Sequence, residues 1–208
     1  MDEARSLGDD LARTIRRLYE RGLVSGVGGN AGALLQSGDE FLITPAGYFK
    51  GGVARGDLVR VGIGVKVIGR GRPSSELATH IAAYKTRDNA RAVVHGHPPS
   101  AAGLASAGVR IPIMTPEHAV MIGEMDVVDF VPGEEVAKAI AAQLERCDVI
   151  GIRNHGFFSL GKDLHEAASR LEVLEESSKI YLASRAIGGA PGLSGRSLKR
   201  TREAYQHE

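Results

Sequence analysis

A chain of 208 residues with 43% hydrophobic and 25% charged residues has the make-up of one folded domain with a substantial core, which excludes disordered and fibrous classes. A formal net charge of +1 offers no broad electrostatic footprint for nucleic acid or anionic lipid, so neither is expected as a partner. The lone Cys147 cannot close an internal disulfide, no run approaches the roughly 20 apolar residues of a membrane span, and the first residues lack the order of a secretory signal, so a cytoplasmic location is expected.

Leu7, Leu11, Ile15, Leu18 and Tyr19 recur at helical spacing and predict an amphipathic helix that Gly22 ends. The glycine-rich stretch 26–30 then feeds a hairpin, with strands near 33–36 and 40–44 around Ser37-Gly38-Asp39. Two short strands are expected over 58–63 and 64–68. A helix follows from about Ser75 to Arg87, carried by Leu77, Ile81 and Tyr84. Residues 91–97, rich in Ala and Val and stopped by Pro98-Pro99, read as a strand ending in His95-Gly96-His97. Further helices are expected near 100–107 and 133–145, strands over 149–153 and 156–160, and a long helix from Asp163, its N-cap, to about Ala186. The expected domain is 1–188. The pattern fades over 189–208, which is expected to be a loose or partner-docked tail. Hairpins alternating with helices predict a layered α/β/α fold with a largely antiparallel central sheet.

On a strand, side chains two apart share a face, so His95 and His97 can meet one ion. Zinc prefers imidazole nitrogen, and catalytic zinc uses three protein ligands with one position open. His155, in the turn Asn154-His155-Gly156 after an apolar strand, is the best third candidate. Glu76 taken alone is a helix-start charge. His80, one helical turn further on, either orients Glu76 or is a satisfied structural histidine. His118, His165 and His207 are read as structural or solvent-exposed, and Cys147 as a small buried hydrophobe.

In order along the chain, Gly29-Asn30, Thr44-Pro45-Ala46-Gly47, Pro73-Ser74-Ser75-Glu76 with His80, Val93-Val94-His95-Gly96-His97 and Asn154-His155-Gly156 form a set. This set resembles the class II aldolase/adducin family. The resemblance covers most of the chain and implies His95, His97 and His155 as ligands of one Zn2+, Glu76 as catalytic acid/base, and Gly29, Asn30, Gly47, Ser74 and Ser75 as the holders of a substrate phosphate. Family members usually carry Thr or Ser where this chain has Ala46, so one hydroxyl donor is missing. The segment that brings a neighbouring subunit's tyrosine to the aldolase site aligns loosely with 117–120, which has none; Tyr205 resembles a C-terminal tyrosine that some relatives use, and is a second catalytic candidate. A homotetramer with sites at subunit boundaries is implied.

The expected activity is retro-aldol cleavage of a ketose 1-phosphate, such as L-fuculose 1-phosphate, to dihydroxyacetone phosphate and an aldehyde. The alternatives on the same scaffold are a methylthioribulose-1-phosphate dehydratase and a sugar-phosphate 4-epimerase; Glu76 speaks against the epimerase, whose branch has aspartate there. A non-catalytic adducin-like interaction module is the alternative of another class, and the complete set of three histidines with Glu76 argues against it.

Overall fold

The structure is a computed structural model, and it describes residues 3–131 and 135–205. Helix α1 (Glu3–Glu20) buries Leu11, Ala12, Ile15 and Leu18 on one face. Gly22 stops it with φ +69°: its N–H donates to Tyr19 O, and that of Leu23 to Leu18 O. These two bonds close a Schellman turn, which requires a left-handed residue and so favours glycine.

Among the described residues eight strands then build one sheet: β1 (Asn30–Leu34), β2 (Glu40–Ile43), β3 (Val59–Gly62), β4 (Val67–Ile68), β5 (Ala92–Gly96), β6 (Asp126–Val128), β7 (Val149–Ile152) and β8 (Gly156–Gly161). Their order is β4-β3-β2-β1-β5-β8-β7-β6. Every pairing is antiparallel except β6 with β7.

Alternating side chains send neighbouring residues to opposite faces. Leu42, Val94 and Phe157 join α1, α3 (Pro99–Ser106) and α6 (Leu164–Ala186) in one core. Phe41, Val93 and Phe158 join α2 (Leu77–Thr86) and α5 (Glu135–Leu144) in the other. The layered α/β/α fold with a mostly antiparallel sheet is therefore present. Asp163 caps α6 as expected, its carboxylate accepting from Glu166 N at 2.8 Å.

Several details differ from the sequence reading. The hairpin's first strand starts at Asn30 rather than near Ala33, because the glycine-rich segment pairs directly with β5. The strand expected over 64–68 is reduced to Val67–Ile68, and α2 begins at Leu77, with Glu76 at its N-cap. Short α4 (Pro116–Met121) and β6 were not foreseen, since six and three residues are too few to show a period. Residues 195–205 form α7 (Gly195–Tyr205), which lies against α4 of the same chain, with Arg202 Nε donating to Ala119 O at 3.3 Å. The first residues of the helix expected from 133, and His207, lie outside the described residues. Among the described residues no helix is long and apolar enough to cross a membrane.

Candidate active site and metal centre

Three adjacent inner strands bring the chemistry to one end of the middle of the sheet. Asn30 on β1 lies opposite His95 on β5, and His95 lies opposite Phe158 on β8. His97 follows β5, and His155 sits in the turn between β7 and β8. That turn requires Asn154 at φ 57°, a left-handed position asparagine tolerates. Gly156 is forced by close approach: a Cβ there would stand 2.4 Å from Gly96 O and 2.5 Å from His97 Cδ2.

The ligand nitrogens of His95, His97 and His155 all lie within 4.8 Å of one another. His95 is buried and its ring stacks on Phe158 at 4.3 Å. Its Nδ1 lies 3.0 Å from Phe157 O. A carbonyl only accepts, so Nδ1 carries the hydrogen and Nε2 presents a lone pair to the cluster. His97 Nε2 stands 3.0 Å from His95 Nε2. Burial, and then the neighbouring imidazoles, hold His95 well below the usual histidine range; burial and His155 lower His97, and burial lowers His155. All three are kept neutral, the state in which imidazole binds a metal. The three histidines can hold a metal ion.

Glu76 faces this cluster, with Oε2 at 3.4 Å from His95 Nε2 and Oε1 at 3.5 Å from His155 Nε2. Burial pushes its pKa up to about 7, opposed by the hydrogen bond from Asn30. Asn30 Nδ2 donates to Glu76 Oε2 at 2.5 Å, and its Oδ1 accepts from His80 Nε2 at 2.6 Å. His80 is fully buried and neutral, with its pKa lowered to about 3 by burial. It therefore orients Glu76 through Asn30 and not by direct contact. Asn30, expected at the phosphate, thus has its amide engaged with Glu76 and His80, although it also lines the pocket.

That pocket, of about 160 Å³, is lined by the glycine loop 27–30, by Pro45, Ala46, Gly47 and Lys50, by Ser74, Ser75 and Glu76, and by the three histidines. Two turns meet on its wall: Pro45 bridges Pro73, Ala46 N donates to Arg72 O at 2.9 Å, and Ser74 N to Thr44 O at 3.2 Å. Ser74 Oγ accepts from Glu76 N at 3.3 Å. Gly29, Asn30, Gly47, Ser74, Ser75, Glu76 and the histidines are thus assembled around one pocket. Tyr205 is not: it ends α7 and is exposed. Lys50 is the lining residue that the sequence reading missed, for a lysine among glycines carries no periodic signal. A larger hollow of about 1310 Å³ beside α1 shares no residue with this pocket, and its lining includes the ion pair of Asp10 with Arg13.

The model of the class II aldolase and adducin N-terminal domain matches residues 9–182. The chain belongs to this family. It is 33% identical over 167 residues to the L-fuculose phosphate aldolase of Methanocaldococcus jannaschii, covering 80% of this chain and 91% of that protein. It is 32% identical over 188 residues to the L-ribulose-5-phosphate 4-epimerase UlaF of Salmonella typhi, covering 83% and 82%. Among solved structures it superposes on YgbL of Klebsiella pneumoniae, described as a putative aldolase/epimerase/decarboxylase, with TM-score 0.88 and 27% identity over 97% of this chain and 100% of that one. Family membership and the aldolase relatives make this class II chain an enzyme of the aldolase, or lyase, type.

Proposed function

We propose that this enzyme is a zinc-dependent lyase that cleaves a ketose 1-phosphate, such as L-fuculose 1-phosphate, to dihydroxyacetone phosphate and an aldehyde. The observation that carries the reading is the partly buried Glu76 carboxyl, 3.4 to 3.5 Å from two of the three clustered histidines, in a pocket that also contains the two small-residue turns. The histidines would hold Zn2+, which supplies positive charge against which negative charge on the ketose oxygens can develop. In the cleavage direction the C4 hydroxyl loses its proton, the C3–C4 bond breaks, and C3 of the three-carbon fragment gains a proton. Glu76 is the group placed to deliver that last proton: burial raises its carboxyl pKa while a cation on the neighbouring histidines would draw it down, opposing effects that suit a group which must both hold and release a proton. Asn30 and His80 fix its direction. Gly29, Gly47, Ser74 and Ser75 would receive the phosphate through backbone N–H groups and hydroxyls.

The pocket of about 160 Å³ is smaller than the roughly 300 Å³ at which small-molecule sites begin. Val27, Phe49 and Phe130 are exposed; Val27 lines the pocket, and the Phe130 ring lies 5.7 Å from that of His155. Both features support a homotetramer whose subunit boundaries complete each site, and a second subunit is where Tyr205 would find a role. A 4-epimerase is the second reading, favoured by the UlaF relative.

The test is metal content of the purified protein, together with dihydroxyacetone phosphate release from L-fuculose 1-phosphate, in wild type, Glu76→Gln and His95→Ala. The expected outcome is about one zinc per chain, lost in His95→Ala and kept in an inactive Glu76→Gln. Metal without cleavage sends the assignment to the epimerase or dehydratase, which product analysis separates. A protein that takes up no metal belongs with the non-catalytic modules.

A further inference from the structure

Lys50 opens a short 3-10 turn, with Tyr48 and Phe49 between it and the Thr44–Gly47 segment. It is 2% exposed, although it lines the pocket. Its backbone N–H donates to Gly26 O at 2.8 Å and its Nζ to Pro45 O at 3.2 Å, so the residue spans the glycine loop and the proline turn. An ammonium has three donors, and among the described residues this one uses one of them. No carboxylate of the described residues forms an ion pair with it, and burial alone holds its pKa below the usual lysine range.

A buried cation without a counter-charge is unfavourable in the empty protein. Its position becomes intelligible if an anion completes it. The other groups on this wall carry no formal charge: Pro45, Ala46 and Gly47 have no polar side chain, the Ser74 and Ser75 hydroxyls are neutral donors, and among the described residues Lys50 is the one lysine or arginine lining the pocket. The helix that starts beyond the serines spends its first amides locally, Leu77 N on Ser74 O and Thr79 N on Glu76 O.

We propose that Lys50 binds the substrate phosphate directly, its ammonium supplying the compensating positive charge that the hydroxyls and backbone of this wall lack. The inference rests on the phosphorylated-substrate reading above, and it makes Lys50 the residue that distinguishes a phosphorylated ketose from the free sugar. Lysine serves phosphate as a compact point charge with movable donors.

The experiment is calorimetric titration of metal-loaded wild type and Lys50→Met with inorganic phosphate and with dihydroxyacetone phosphate, with thermal melting of both proteins free of ligand. The expected result is phosphate affinity lower by about ten- to a hundredfold in Lys50→Met, the size of one charge-assisted hydrogen bond, with KM for the phosphorylated substrate raised by a similar factor. The ligand-free variant should melt close to wild type, because losing the bond to Pro45 O is offset by removing a buried charge that has no counter-charge. Equal phosphate affinity in the two proteins overturns the proposal, as does a wild type that binds neither phosphate nor dihydroxyacetone phosphate. Phosphate affinity lost in Lys50→Met while the wild type cleaves no ketose 1-phosphate keeps the anion site and overturns the reaction class instead. Should Lys50→Met not fold, wild type with 13C-labelled lysine decides: the Lys50 Cε signal, assigned by its loss in Lys50→Arg, must move on addition of phosphate, and an unmoved signal ends the proposal.

Discussion

The hydrogen on His80 can be placed from its neighbours. Asn30 Nδ2 is turned to Glu76 and its Oδ1 to His80 Nε2, while His80 Nδ1 is buried without a partner among the described residues. The imidazole is therefore neutral with its hydrogen on Nε2, and a chain His80–Asn30–Glu76 runs from core to site. Burial lowers the folded pKa of His80 from 6.5 to about 3, so on acidification the unfolded chain takes up the proton first. Its contribution to stability is complete above pH 6.5 and is lost as pH falls toward 3. Replacing His80 with Phe should cost about 1–3 kcal/mol at pH 7, because Asn30 Oδ1 loses its donor, and should flatten the fall in stability between pH 6.5 and 4. Denaturant unfolding across that range checks it; an unchanged acid slope would refute the neutral assignment.

At the scale of elements, the site depends on how closely β5 and β8 approach. Gly96 pairs with Phe157, and the missing side chain of Gly156 lets the His155 turn lie against His97. Gly156→Ala would place a methyl against the Gly96 carbonyl, a backbone atom that cannot swing aside. The expected cost is about 1–3 kcal/mol of stability, with weaker metal uptake as His97 is displaced. Melting and zinc titration of Gly156→Ala test this, and wild-type values in both would show that the strands have slack.

Across the whole molecule, the three histidines join β5 to the β7–β8 turn, so a bound ion ties the middle of the sheet together. An ion that binds only the folded form stabilises it by about 2.7 kcal/mol at a free concentration of 100 Kd. For a domain of this size that raises the melting temperature by roughly 5–10 °C. A chelator should remove the increment from wild type and change His97→Ala little. Identical melting of wild type with and without chelator would mean that the cluster does not hold an ion in the folded protein.

Much of this was legible in the sequence because the signals are local. Hydrophobic period reveals α1 and α2, since burial on one face demands helical spacing, and turn residues bound most strands. His95 and His97 reveal their shared face through a two-residue spacing, and Gly22 and Asp163 mark helix ends through backbone geometry and capping. Tertiary structure alone decided what depends on distant residues meeting. Only the order β1-β5-β8 sets Asn30 beside His95, and only the packing of α2 and the residue before it brings Glu76 and His80 onto Asn30, across 46 and 50 positions of chain respectively. The same holds for Lys50. A lysine in a glycine-rich turn reads as a solvated charge, and its burial beside Pro45 follows from how the glycine loop and the proline turn close over it, a relation between segments that no local pattern encodes.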